Sequence, residues 1–138
     1  MTLRSTTYLP VIAGFGFRKA ADYSSFSQLF ERLECPSGEY IAAVAADKAD
    51  HSAFRQFCAD YGLKIHPVPQ HQLSSVTTPT CSEISMSYRN VGSLCEALAL
   101  YCAGSNAQLW ITRQISDDRL VSCAVAQTAG YKAQEERL

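Results

Sequence analysis

The fold is decided by residues 9–19, whose sequence is LPVIAGFGFRK. The apolar run at its start leads into two closely spaced glycines, Gly14 and Gly16, and this pattern predicts a buried β-strand that feeds a glycine loop. Two cations, Arg18 and Lys19, come directly after the loop. In an open α/β sheet, the carboxyl end of a parallel strand is where ligands usually bind. The stretch therefore predicts both a central strand and a candidate site.

Helices and strands alternate in the pattern that follows. Apolar residues recur at helical spacing after Asp22 and again after Ser52, and Gly62 stands where a helix would end. Two further apolar runs, residues 40–46 and 63–68, predict strands. The second of these strands is expected near an edge of the sheet, because Pro67 cannot donate a ladder hydrogen bond.

The last third of the chain predicts one helix and two strands. The helix begins near Asn90 and ends at Gly104, and strands follow at residues 109–115 and 120–126. Only four residues join those strands, so they must be antiparallel neighbours.

The element order predicts a three-layer α/β/α sandwich. Its sheet is expected to be mixed and mostly parallel, with about five strands, the last one or two antiparallel and at an edge. A chain of 138 residues fits a single domain over 1–138. We expect residues 1–8 and 129–138 to be flexible tails.

Composition excludes several classes of partner and places the chain in the cytoplasm. Twelve Lys and Arg residues against 13 Asp and Glu residues leave a net charge of −1, without the broad basic surface of a nucleic-acid binder. No apolar run reaches the roughly 18 residues that a membrane span needs. The N-terminus lacks the apolar segment of a signal peptide, so we expect a cytoplasmic protein.

The cysteines and histidines predict neither a disulfide framework nor a metal centre. In the cytoplasm the six cysteines are expected to be thiols, and their spacing contains no CxxC motif. Cys81 lies in a loop-like stretch and is the thiol whose reactivity we would test. No HExxH motif or carboxylate cluster is present, so no metal and no cofactor are expected.

Two segments are expected to meet at the carboxyl edge of the sheet. One follows the first strand and the other, residues 47–50, follows the second. Glycine amides, a helix N-terminus and a bidentate guanidinium together could bind a carboxylate or phosphate. The candidate ligand-binding residues are Gly14, Phe15, Gly16, Phe17, Arg18, Lys19 and Lys48. The alternative is a tight turn with solvated cations, since GxG alone is a weak motif.

Asp47 and Asp50 have two interpretations. As catalytic residues they would do acid–base work through a water molecule. As N-caps they would simply begin the next helix, and the strong preference of Asp for that position favours capping. Lys48 between them is either an anion ligand or a salt-bridge partner.

Four stretches in order resemble the family of the cobalamin-biosynthesis protein CobE and the C-terminal domain of CbiG. Residues 14–18 resemble its G-x-G-x-R loop and residues 46–50 its D-x-K-x-x loop. Residues 79–82 resemble a P-x-x-S turn, and residues 91–97 resemble a glycine-led helix start. The similarity runs from about residue 11 to 127. One departure is the strand at 109–113, which lacks the P-K signature frequent in the family.

The resemblance implies a role in building the corrin ring and adds Ser82 to the ligand-binding residues. Two-part family members hydrolyse the lactone of a cobalt-precorrin, but residues 11–127 resemble only one of their domains. Stand-alone members resemble binders or carriers of corrinoid intermediates. Such ligands are flat and apolar, with a rim of carboxylates, and they call for an apolar surface edged by cations.

Three functional hypotheses follow. The leading one is a protein that binds a carboxylate-rich precorrin or corrinoid intermediate, as a carrier or accessory factor. The second is a lactone hydrolase with Asp47 or Asp50 as general base. The third is a docking module for another cobalamin-pathway enzyme.

Overall fold

The computed structural model describes residues 10–35, 38–73, 76, 78, 93–104 and 106–127. Within them lie five strands and three α-helices, in the order β1 (Val11–Phe17), α1 (Tyr23–Arg32), β2 (Tyr40–Ala45), α2 (Ser52–Tyr61), β3 (Leu63–Val68), α3 (Leu94–Ala103), β4 (Gln108–Ile115) and β5 (Val121–Gln127). Short 3₁₀ turns follow β2 at Ala46–Lys48 and β3 at Gln70–Gln72. The expected tails, 1–8 and 129–138, lie outside the described residues.

The five strands form one mixed sheet in the order β3-β2-β1-β5-β4. β1, β2 and β3 are parallel, whereas β5 runs antiparallel between β1 and β4. Because β4 is antiparallel to β5, it points the same way as β1, and four carboxyl ends lie at one edge of the sheet. The mixed, mostly parallel sheet is confirmed, as is the edge position of β3. The antiparallel β5, however, lies inside the sheet, and β4 takes the edge.

The predicted glycine loop is wrong, because β1 continues through residues 14–17. Gly14 pairs with Ala43 on β2 and with Ala124 on β5. A Cβ atom at Gly14 would lie 2.1 Å from the carbonyl oxygen of Cys95 and 2.7 Å from the amide nitrogen of Ala99, both on α3. The glycine thus serves the close approach of a helix backbone to the sheet, and not a turn.

Helices cover both faces of the sheet, which confirms the three-layer sandwich. On the face of α1 and α2 the core is aromatic: Phe15 is fully buried, with its ring centroid 5.7 Å from Phe54 and 5.6 Å from Phe57. On the other face the residues are smaller, and Ala97, Leu98 and Ala99 of α3 pack there. Side chains of β1 alternate between the two clusters, as the twofold repeat of a strand requires.

Local signals account for the ends of two helices. Asp22 caps α1 by accepting a hydrogen bond from the Ser25 amide, and the Ser25 side chain completes a capping box. Gly62 ends α2 with a φ of 73°, in the left-handed region that favours glycine. The predicted start of α1 after Asp22 and the predicted end of α2 at Gly62 are confirmed.

Candidate functional site

The candidate site lies at the carboxyl edge of the sheet, where β1 and β2 end side by side. β1 ends at Phe17, and Arg18 and Lys19 follow it; β2 ends at Ala45, and the turn Ala46–Lys48 follows. The helices α1 and α2 begin directly after these segments. The parallel pairing of the two strands therefore brings the two predicted segments to the same edge.

Phe17 forms an aromatic platform at this edge. Its ring stacks on Phe54 at 5.1 Å and meets Phe26 edge-on at 5.0 Å, so the hydrophobic core fixes its position. The Nζ atom of Lys48 lies 5.6 Å from the centroid of the Phe17 ring, within the range of a cation–π contact. The structure thus brings Phe17 and Lys48 together, as the sequence predicts for one site.

His51 links the two segments. Its Nδ1 atom accepts a hydrogen bond from the Phe54 amide at 3.3 Å, which makes His51 the N-cap of α2. Its Nε2 atom lies 3.0 Å from the carbonyl oxygen of Lys19. The expectation that Asp47 or Asp50 caps this helix is wrong, because Asp47 lies in the 3₁₀ turn after β2 and His51 holds the position directly before Ser52. The sequence gives little signal for a histidine cap, since Ser, Thr, Asp and Asn dominate that position.

Asp47 and Asp50 are both exposed and flank Lys48 in sequence. Asp47 lies in the 3₁₀ turn, and Asp50 borders a shallow surface depression of about 350 Å³ that Ser52 and Arg55 also line. Their exposure leaves both carboxylates accessible to water and to a solute. A catalytic role for either remains a prediction.

Arg18 follows the last residue of β1 and is exposed. Its amide donates to the carbonyl of Leu120 at 2.9 Å, which extends the pairing of β1 with β5 by one residue. Phe17 faces α1 and α2, and Gly14 and Gly16 face α3. If strand alternation continues for one more residue, it predicts that Arg18 lies on the α3 side, opposite the face where Lys48 meets Phe17.

Three of the other predicted ligand-binding residues, Gly14, Phe15 and Gly16, lie in the interior of the fold. The fourth, Ser82, lies outside the described residues. Phe15 is fully buried in the core, and Gly14 lies beneath α3. A Cβ at Gly16 would lie 3.1 Å from the Ser122 hydroxyl, so this glycine is less crowded than Gly14. Ser82 and Cys81 lie outside the described residues, with the rest of the P-x-x-S and glycine-led motifs up to residue 92.

Sequence reasoning assigned no role to Glu96, which is completely buried at the start of α3. Its carboxylate accepts a hydrogen bond from the Arg113 amide at 2.8 Å, where the register of β4 against β5 shifts. The carboxylate thus supplies an acceptor for a backbone amide at a point where the ladder is irregular. The available signal was a single acidic residue in the otherwise apolar helix LCEALALYCA.

Cys95 lies one residue before Glu96 and is unsuited to act as a nucleophile. Its sulfur lies 3.7 Å from the Ser93 hydroxyl, and burial raises the pKa of the thiol to about 11. Among the described residues, no group of three or more His, Cys, Asp and Glu side chains is arranged to hold a metal ion. In the same part of the chain, no helix is both long and apolar enough to cross a membrane.

Known structures share this architecture. A crystal structure of CobE, from the cobalamin (vitamin B12) biosynthetic pathway, aligns with a TM-score of 0.69 and 22% identity over 86% of this chain and 90% of that one. The cobalamin biosynthesis protein chiG from Agrobacterium tumefaciens aligns with a TM-score of 0.64 and 29% identity, over 86% and 98% of the two chains.

A third structure is larger. In a putative cobalamin biosynthesis protein G homolog from Sulfolobus solfataricus, this chain covers 37% of the length, at 16% identity and a TM-score of 0.58. No curated protein sequence matches the chain.

The family pattern described as "Cobalamin synthesis G C-terminus" matches residues 11–126, from the first residue of β1 almost to the last residue of β5. The match includes both segments at the carboxyl edge. The chain therefore belongs to the family of the CbiG C-terminal domain and is a protein of cobalamin biosynthesis.

Proposed function

We propose that this protein binds a carboxylate-rich corrinoid intermediate at the carboxyl edge of its sheet and acts as a carrier or accessory factor. The observation that carries the proposal is the Lys48 ammonium held over the Phe17 ring at the end of β1. It sets a positive charge beside an apolar surface, and a corrin ring with an acidic rim needs both.

The ligand's chemistry explains why cations on two faces suit it. A corrin precursor carries acetate and propionate groups around its whole perimeter, so its partners need not converge on one point. In the proposed complex the ring lies across the strand ends, with Lys48 and Lys19 on the side of α1 and α2. Arg18 meets carboxylates from the side of α3 and can bind one through two parallel hydrogen bonds.

The electrostatics of the whole chain are compatible with this ligand. A net charge of −1 provides no long-range attraction, so recognition depends on cations within a few ångströms of the rim. Lys48 is partly buried, and partial burial strengthens its interaction with a carboxylate compared with a fully solvated lysine.

A titration of the full chain with hydrogenobyrinic acid, a metal-free corrin carboxylic acid, tests the proposal through the visible spectrum of the ring. We expect saturable binding with a dissociation constant of about 10 µM or lower. Lys48→Ala is expected to weaken binding about tenfold, because it removes one partly buried cation.

Lys64→Ala is the matched control. Lys64 is an exposed lysine that stands second in β3, toward the opposite edge of the sheet. Binding by this variant should equal that of the natural protein. If Lys48→Ala and Lys64→Ala bind alike, or if neither the spectrum nor the melting temperature of the natural protein responds to the ligand, the proposed site is wrong.

A further inference from the structure

We infer that His51 is a positioning residue that holds the two cationic segments of the proposed site in register; this inference rests on the proposed function. One imidazole ring contacts the segment after β1, the start of α2 and the aromatic platform at once. The backbone amide of His51 also donates to the carbonyl oxygen of Lys48 at 3.2 Å, so His51 connects the backbone at Lys19 with the backbone at Lys48.

The two hydrogen bonds require one tautomer of the ring. The Phe54 amide is a donor, so Nδ1 must be unprotonated to accept from it. Nε2 then carries the hydrogen of the neutral ring and donates it to the Lys19 carbonyl oxygen at 3.0 Å.

Packing fixes the plane of the ring. The His51 centroid lies 5.0 Å from Phe17, with an interplanar angle of 72°, and 6.1 Å from Phe26. Phe17 is the ring over which the Lys48 ammonium lies. His51 therefore packs against the Phe17 ring and also forms a hydrogen bond with the Lys19 backbone.

The bond to Lys19 goes beyond what a helix cap requires. An N-cap needs a single acceptor, and Ser, Asp or Asn supplies it more commonly than His. The second bond spans 32 residues and ends on the segment that carries Arg18 and Lys19. It restricts that segment before a ligand arrives, which lowers the entropy lost on binding.

Substitution can separate the two bonds. Asn at position 51 retains an acceptor for the Phe54 amide, but its shorter side chain cannot also reach the Lys19 carbonyl. Ala loses both bonds. Measured by thermal unfolding, His51→Asn should therefore be more stable than His51→Ala.

Ligand affinity should follow a different order. We expect both variants to bind hydrogenobyrinic acid about tenfold more weakly than the natural protein, although only the Ala variant loses the cap. A purely structural role predicts instead that the affinity of His51→Asn is unchanged. That result, with the natural protein binding normally, would overturn the inference and leave the proposed function standing.

A ligand-free measurement keeps the two claims apart. In ¹⁵N NMR of the natural protein we expect the Nε2–H tautomer of His51, and backbone order parameters at residues 18–21 that fall in His51→Asn. An Nδ1–H tautomer, or unchanged order parameters, would overturn the positioning role whatever the ligand does. If these NMR results hold but the natural protein does not bind the ligand, the proposed function fails, and His51 orders this segment for another purpose.

Discussion

At Gly14 the backbone of α3 comes closer to the sheet than any side chain would allow. A Cβ atom there would meet backbone atoms of Cys95 and Ala99 at 2.1 and 2.7 Å, and backbone atoms cannot rotate away. We expect Gly14→Ala to reduce the free energy of unfolding by about 3 kcal/mol or more, measured by urea denaturation.

Gly16→Ala is the control for this substitution. Its Cβ would meet the Ser122 hydroxyl at 3.1 Å and the Leu94 side chain at 3.4 Å, and both can adjust. We expect a cost of about 1 kcal/mol or less, because the lower entropy of the unfolded chain offsets part of the strain. Equal costs for the two variants would contradict the close helix–sheet packing at Gly14.

Three cysteine side chains are buried in the core, and we expect their thiols to react slowly with alkylating reagents. Burial raises the pKa of Cys58 to about 12 and that of Cys95 to about 11, and it raises the pKa of Cys123 well above its usual range. At pH 8 almost no thiolate is present at these positions. Iodoacetamide should therefore label them far more slowly in the native protein than in denaturant, as followed by mass spectrometry. Labelling at similar rates in both states would show that the core opens readily.

At the scale of elements, a hydrogen bond links the β4–β5 hairpin to the start of α1. The Asp118 carboxylate accepts from the Ser25 hydroxyl and from the Ser116 hydroxyl, both at 2.6 Å, and from the Leu120 amide at 3.0 Å. Hydrogen bonds from Ser116 and then from Ser25 are the main reason why the pKa of Asp118 lies below its usual value.

This network predicts how stability changes with pH. The folded pKa of Asp118 is lower than the unfolded one, so its contribution is complete above the unfolded pKa of about 4 and is lost as the pH falls through the folded value. Asp118→Asn should melt at a lower temperature than the natural protein at pH 7. The difference should shrink steadily below pH 4.

Asp117→Asn provides the comparison. Asp117 forms a salt bridge with Arg32 at 3.0 Å, but its side chain is 90% exposed, and such pairs contribute little. The melting temperature of Asp117→Asn should stay close to that of the natural protein at every pH. A constant difference for Asp118→Asn between pH 7 and pH 3 would contradict the role of its ionised carboxylate.

Local sequence signals predicted most single elements. The caps and apolar spacing around Asp22 and Gly62 define α1 and α2, and the edge position of β3 follows from the missing donor of Pro67. The continuation of β1 through Gly14 was not predictable in this way. Its cause is the approach of α3, which lies about 80 residues further along the chain, whereas glycine locally favours a turn.

Contacts between distant segments also limited the prediction of the site. Spacing in the sequence placed Lys48 and the segment after β1 at one edge, because parallel strands end together. It could not reveal that the His51 side chain bonds to the Lys19 carbonyl, because that contact joins segments 32 residues apart. The position of β5 beside β1 is likewise set by pairing between the two ends of the chain.

At the scale of the whole molecule, the three-layer sandwich presents four strand ends at one edge, and the Lys48 ammonium lies over Phe17 there. We propose that carboxylates on a corrin ring are recognised there. Calorimetric titration of the full chain with hydrogenobyrinic acid and, in parallel, with the fully amidated form of the same ring tests this proposal. We expect binding of the acid that weakens with added salt, and an affinity for the amide at least about tenfold lower. Equal affinity for the two rings, or no heat of binding with either, would contradict it.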